Sequence, residues 1–138
     1  MRFHVVEIVD PGQQAAAHAL RDAVFVQEQQ VPAGLERDAL DALSRHVIAL
    51  DDTGAAIGTG RLGPDGKIGR MAVRADRRGQ GVGEALLRAL LELARAGGLH
   101  ATWLHAQLAA QALYARNGFV AYGPRFVEAG IEHRAMRR

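Results

Sequence analysis

Residues 67 to 96 constrain the fold more than any other stretch of this chain. KIGRMAV (67–73) reads as a strand. RRGQGVG (77–83) then places Gly79, Gly81 and Gly83 at every second position behind two arginines. A helix is expected from about Gly81 to Ala96, because Val82, Leu86, Ala89, Leu90 and Leu93 recur at helical spacing. Glu84, Arg88 and Glu92 lie four apart on its outer face, where they can pair as exposed ions. Gly97-Gly98 ends it. Glycine is the poorest helix former short of proline, so three of them at a helix mouth need a reason. A helix N-terminus carries unsatisfied N–H groups and a partial positive charge. Glycines before it let the backbone approach an anion with no side chain in the way. Arg77 and Arg78 add charge. The stretch suits a diphosphate. It is not a Walker loop, because no Gly-Lys-Ser/Thr follows, and its third glycine comes one residue early for a dinucleotide fingerprint. A formal G-x-G-x-x-G at Gly58, Gly60 and Gly63 runs into a Pro-Asp-Gly turn instead of a helix, so it lacks the context that gives that motif meaning.

The remaining elements fill out one domain, residues 1–138. Residues 2–9 alternate and read as a strand. Asp10-Pro11 is a helix start, with aspartate as N-cap and proline in the first turn. That helix is expected to reach about Gln29, before Val31-Pro32 breaks it and Gly34 loosens the loop. Residues 35–43 read as a short second helix. Residues 45–50 and 55–62 are strands joined by a turn at 51–54, and Pro64-Asp65-Gly66 turns into the strand at 67–73. Residues 100–105 read as a strand and 107–116 as a helix ended by Asn117-Gly118. Two last strands are expected at 119–122 and 130–136. The fold class is therefore α/β (α+β): a mixed, mostly antiparallel sheet flanked by helices, with a strand–helix–strand unit in its second half.

Composition removes several function classes. The chain has 138 residues and no cysteine, which excludes disulfides and thiolate metal sites and fits a cytoplasmic protein. Its N-terminus does not read as a signal peptide, and no apolar run is long enough to span a bilayer. A net charge of +2 and a pI near 9.7 hint at nucleic acid. Against this, charges of both signs interleave except at Arg74–Arg78 and Arg134–Arg138, and aromatics are only 5% of the chain, too few for base stacking. No metal site is expected. His100 and His105 fall on opposite faces of one expected strand and the other histidines are scattered.

Arg78-x-x-Gly81-x-Gly83, between a strand and a helix, resembles the acyl-CoA pyrophosphate loop of the GNAT N-acetyltransferase superfamily. Ala112-Leu113-Tyr114-Ala115-Arg116-Asn117-Gly118-Phe119 is similar to that superfamily's second signature, a helix bearing a tyrosine and ending in Gly-Phe. The match covers roughly residues 45–122. VFVQEQQVP (24–32), KIGRMAV (67–73) and EAGIEH (128–133) resemble its ElaA/YjcF-like branch.

The resemblance implies an acetyl-CoA-dependent acetyltransferase that moves the acetyl group to an amine by direct attack in a ternary complex. The acceptor would be a small molecule or a peptide amine. Without a cysteine nucleophile, a covalent thioester on the enzyme is not expected. The loop residues Arg78, Gly79, Gln80, Gly81, Val82 and Gly83 would hold the diphosphate. The backbone of Met71, Ala72 and Val73 would align the pantetheine arm, from a strand that splays at a bulge. Gln107 stands where many members carry an asparagine. Tyr114 is the candidate general acid for the departing thiolate. On an ideal helical wheel Leu108, Ala112, Ala115 and Phe119 form one stripe, and Tyr114 lies off it beside Gln107 and Gln111. Glu28 and His133 lead the candidates for the base. Glu36, Asp38 and Asp41 share the expected acceptor segment, but the run ERDALD reads as a solvated helix face. A non-catalytic acyl-CoA sensor on the same fold is the alternative. Edge strands make a homodimer an expectation by analogy.

Overall fold

The computed structural model describes residues 2–138. Strands β1 (Phe3–Glu7), β2 (Arg45–Asp51), β3 (Ala56–Leu62) and β4 (Ile68–Val73) form one antiparallel sheet in that order. β5 (Trp103–Gln107), β7 (Ile131–Arg137) and β6 (Val120–Glu128) form a second, with β7 in the middle. The expected single mixed sheet is thus opened into two. Between them lies one isolated parallel bridge, Lys67 to Trp103, with Trp103 N–H donating to the Gly66 carbonyl at 3.1 Å. Beyond that bridge β4 and β5 share no ladder among the described residues.

Helix α1 (Pro11–Arg21) begins as the sequence dictates. Asp10 is the N-cap and accepts from the Gln13 amide at 2.8 Å, with Pro11 in the first turn. The chain stays helical beyond Arg21, but as a π-helix over Asp22–Glu28 in place of regular α-helix to Gln29. The expected helix at 35–43 is instead one turn, α2 (Ala33–Glu36), and a 3-10 turn at Asp41–Leu43. Its acidic residues turn inward, as described below.

Helix α3 (Val82–Ala96) crosses one face of the first sheet. Its Val82, Leu86, Leu87, Leu90 and Ala94 are buried against Val47, Ala49, Ile57, Leu104, Phe119 and Met136. Here the discounted glycines find their role. A Cβ on Gly58 would lie 2.8 Å from Leu86 Cδ1 and 2.9 Å from Val82 Cγ1, and one on Gly60 would lie 2.8 Å from Leu90 Cδ1. Both glycines let α3 lie directly on β3. Helix α1 and the π-helix cover the opposite face, where Leu20, Val24 and Phe25 pack on Ala72.

Strand β5 starts three residues later than expected. Leu99 is consumed in closing α3, its amide donating to the Ala94 carbonyl at 2.9 Å. The expected helix at 107–116 becomes a 3-10 turn, Leu108–Ala110, followed by α4 (Gln111–Arg116). Gln107 therefore ends a strand. β6 runs to Glu128, well beyond the expected 122, with a register irregularity between Tyr122 and Phe126.

Candidate active site

At the mouth of α3 the backbone is left-handed at Gly79 (φ 77°) and at the N-cap Gly81 (φ 86°). No side chain caps the helix. Its first amides therefore open into a hollow of about 230 Å³ lined by Val73, Arg77, Arg78, Gly79, Gly81, Val82, Gly83, Glu84 and Leu113. Gln80 is exposed and outside that lining. Arg77 is drawn toward Asp51, at 3.3 Å. Arg78 is the more exposed cation and the more engaged: it makes a two-pronged pair with Glu28 (2.6 and 2.7 Å) and donates from Nε to the Val73 carbonyl at 3.1 Å. Arg78 holds the Glu28 carboxyl below its ordinary range. The Glu84 carboxylate in the same lining is occupied by Asn117 at 3.0 Å and faces Arg88 and Arg116.

Two residues before Val73 on β4 is Met71, at the edge that β5 leaves unpaired, where it lines a separate cleft. Tyr114 stands there. The wheel placed it on a polar edge, yet it packs on the main core together with Leu113, while Ala112 and Ala115 are exposed. Leu108 lies in the 3-10 turn and Phe119 beyond the end of α4, so neither marks the face of the helix; within Gln111–Arg116 the core side is that of Leu113 and Tyr114. The Tyr114 ring meets Phe119 edge-on at 5.9 Å, and its hydroxyl is 3.6 Å from Met71 Sδ. The residue is half-buried, but its hydroxyl is desolvated, and burial pushes the phenol up to about 12.

Beyond Tyr114 opens a second cleft of about 380 Å³. Its walls include Phe25, Gln29, Leu35, Glu36, Met71, Gln107 and His133. Gln107 donates to Gln29 at 3.0 Å, bridging β5 to the end of the π-helix. His133 pairs in register with Gln107 across the second sheet, and its ring stacks on Phe126 at 5.8 Å. The His133 Nδ1 lies 2.7 Å from the Ile131 carbonyl. A carbonyl only accepts, so Nδ1 carries a proton, and in the neutral ring the lone pair is on Nε2. The structure thus brings Tyr114, Gln107 and His133 to one cleft. It places Glu28 apart, against the loop.

One wall of this cleft was invisible in the sequence. Glu36 is 3% exposed and bonds the fully buried Arg21. Asp41 bonds Arg21 at 3.0 Å and Arg61 at 2.9 Å, and Asp38 bonds Arg61 at 2.9 Å and Arg70 at 3.1 Å. The expected solvated face is therefore part of a network of three arginines and three carboxylates, buried at Arg21, Glu36 and Arg61 and reaching the surface at Asp38. Burial alone raises Asp38 and Asp41, but bonds from these arginines outweigh it, and both end below the usual aspartate range.

Residues 8–138 match the family model of the acetyltransferase (GNAT) domain. N-acetyltransferase YjcF of Bacillus subtilis is 36% identical over 126 residues, which are 88% of this chain and 89% of that protein. The crystal structure of an acyl-CoA N-acyltransferase from Pseudomonas aeruginosa superposes with a TM-score of 0.88 at 33% identity, over 99% of both chains. Escherichia coli ElaA superposes with a TM-score of 0.86 at 27% identity, over 100% of this chain and 99% of that one. The chain belongs to the GNAT family of N-acetyltransferases. Within it, the chain falls in the ElaA/YjcF-like branch. Among the described residues no helix is long and apolar enough to cross a membrane.

Proposed function

We propose that this chain transfers an acetyl group from acetyl-CoA to a primary amine by direct attack within a ternary complex. The observation that carries the reading is adjacency along two elements. The hollow at the first residues of α3 is lined by Val73 of β4 and Leu113 of α4, and the larger cleft by Met71 and Tyr114 of the same strand and helix. The hollow fits a diphosphate because its backbone comes close without Cβ atoms and Arg78 stands beside it. When bound, the cosubstrate supplies an activated thioester carbonyl.

The chain's own residues then have distinct tasks. The backbone of Met71, Ala72 and Val73 aligns the arm and presents N–H groups to the carbonyl oxygen. His133 Nε2 takes the proton the amine must lose, with its lone pair fixed by the Nδ1–H bond to Ile131. Tyr114 gives a proton to the departing sulfur. A phenol pushed up to about 12 stays protonated throughout the working range, and because that also makes it a weak acid, its contribution rests on position beside the sulfur, with the proton restored from His133. Glu28 is the poorer base, because Arg78 stabilises its ionised form.

The test is thiol release from acetyl-CoA against a panel of amines. Tyr114→Phe should lower kcat by about a hundredfold, the usual worth of a positioned acid, and leave the Kd for coenzyme A unchanged. The wild-type profile should show no decline from Tyr114 ionisation up to about pH 10, since the phenol titrates near 12. Tight coenzyme binding with no turnover of any amine would favour a non-catalytic sensor.

A further inference from the structure

β4 does not pair evenly with β3. Thr59 faces Ala72 and Arg61 faces Gly69, so Gly60 alone stands opposite both Arg70 and Met71. This is a bulge, and Arg70 is its left-handed residue, with φ 50°. A side chain is disfavoured there relative to glycine, so something else must hold arginine in place. The bulge has a consequence for aim. Ile68 and Met71, three residues apart, both reach the main core, which a regular alternating strand would forbid. It also brings Met71 Sδ to 3.6 Å from the Tyr114 hydroxyl.

The Arg70 guanidinium spans the acceptor cleft's wall. Nε donates to the Glu36 carbonyl at 2.8 Å, and Nη2 donates to the Leu35 carbonyl and the Asp38 carboxylate, both at 3.1 Å. The two carbonyls end the single turn α2, where acceptors have no helical partner. Asp38 is in turn held by Arg61 of β3. Leu35, Glu36, Asp38 and Leu40 all line the cleft. Leu35 is 60% exposed and Leu40 43%, so apolar burial does little to hold this segment.

We propose that Arg70 is a positioning residue of the acceptor site: it locks the β4 bulge and the 35–40 wall together, which fixes how far the amine sits from the strand that aligns the thioester. The inference rests on the acetyl-transfer reading. A guanidinium is required because its rigid fork reaches two carbonyls and a carboxylate at once, which an ammonium point charge cannot do.

The experiment uses the full chain with Arg70→Gly and Arg70→Lys. Glycine accepts the left-handed backbone, so the bulge survives while the tether is lost. With the best amine of the panel, Arg70→Gly should raise the amine KM about tenfold or more, with kcat within about threefold and the coenzyme A Kd unchanged. Arg70→Lys should fall between glycine and wild type. Deuterium uptake at residues 33–41 should quicken in Arg70→Gly while α3 stays as protected as before. Unchanged KM and uptake would overturn the proposal. So would equal losses in coenzyme affinity and amine KM, which would make Arg70 a support of the strand alone. If the wild type turns over no amine, the acetyl-transfer reading fails, and uptake, which needs no acceptor, decides the tether by itself.

Discussion

Replacing Gly83 with alanine separates what the loop does for the fold from what it does for the coenzyme. Gly83 is the second residue of α3. A Cβ built there meets only Leu113 Cδ2 at 3.7 Å and Val73 Cγ2 at 3.9 Å, which are ordinary contacts. Nothing in the free protein demands glycine. Alanine is the better helix former by up to about 1 kcal/mol in mid-helix and less in the first turn, so a gain of ~0.5–1 kcal/mol is expected. Unfolding entropy near 2.1 cal/mol/K per residue over 138 residues turns that into a Tm rise of about 2–3 °C. The same methyl group enters the hollow between Val73 and Leu113. If a diphosphate sits there, its shift breaks at least one charge-assisted bond, worth about 1.5–3 kcal/mol, and the coenzyme A Kd rises roughly ten- to a hundredfold. Gly81→Ala is the counterpart. Its φ of 86° penalises alanine by about 1–2 kcal/mol, so Tm falls by ~3–7 °C while affinity falls too. Thermal melts and calorimetric titration with coenzyme A read both quantities. A Gly83→Ala protein that melts higher and binds coenzyme A as tightly as wild type would refute the diphosphate role of the loop.

Glu28→Gln frees Arg78 from its carboxylate partner. Because the pair is largely solvent-exposed, coenzyme A affinity should improve only about two- to fivefold, and less at high salt. kcat should hold within a few-fold; a hundredfold loss would make Glu28 the base after all. The arginine–carboxylate network predicts acid sensitivity. Asp38 and Asp41 are held below their ordinary value of 3.8, so they favour the folded state above that pH, and the benefit drains away as pH falls through their lowered values. Urea unfolding from pH 7 to 3 should show stability dropping below about pH 4. Asp41→Asn should lower stability at pH 7 by about 2 kcal/mol and flatten that drop; an unchanged slope would exclude Asp41 as its source.

Local chemistry made much of this readable. Asp10-Pro11 can hardly begin anything but a helix, and the glycines at 79, 81 and 83 can hardly be wanted by the helix they precede. What escaped was non-local. Glu36, Asp38 and Asp41 are spaced like a wet helix face, and their partners, Arg21 and Arg61, arrive from α1 and β3. A single charge pattern carries no mark of a partner brought by folding. Arg70 was hidden for another reason: a left-handed arginine has no sequence signature, because its strain is offset by carbonyls 34 and 35 residues away. Gly58 and Gly60 did carry a signal. Paired glycines inside a strand imply a close neighbour, here the side chains of α3.

The placement of the chemistry follows from how the two sheets part. β4 and β5 touch at Lys67–Trp103, near the start of each, and share no ladder beyond it. The hollow proposed for the diphosphate lies past Val73, at the open end. The cleft proposed for the acceptor is lined by Lys67 and β4 residues 68–71, nearer the closed end. On the proposed reading, two substrates entering from opposite ends of one strand would meet near Met71, whose Sδ is 3.6 Å from the Tyr114 hydroxyl. The bulge opposite Gly60 sets where along β4 this meeting falls. A regular strand would put Arg70 and Ala72 on the α3 face with Ile68 and turn the Met71 side chain to the α1 face, and Tyr114 would lose its neighbour. On the proposed reading, the position of the reaction is therefore set by one extra residue of backbone, Arg70, whose side chain also bonds the cleft wall at Leu35, Glu36 and Asp38.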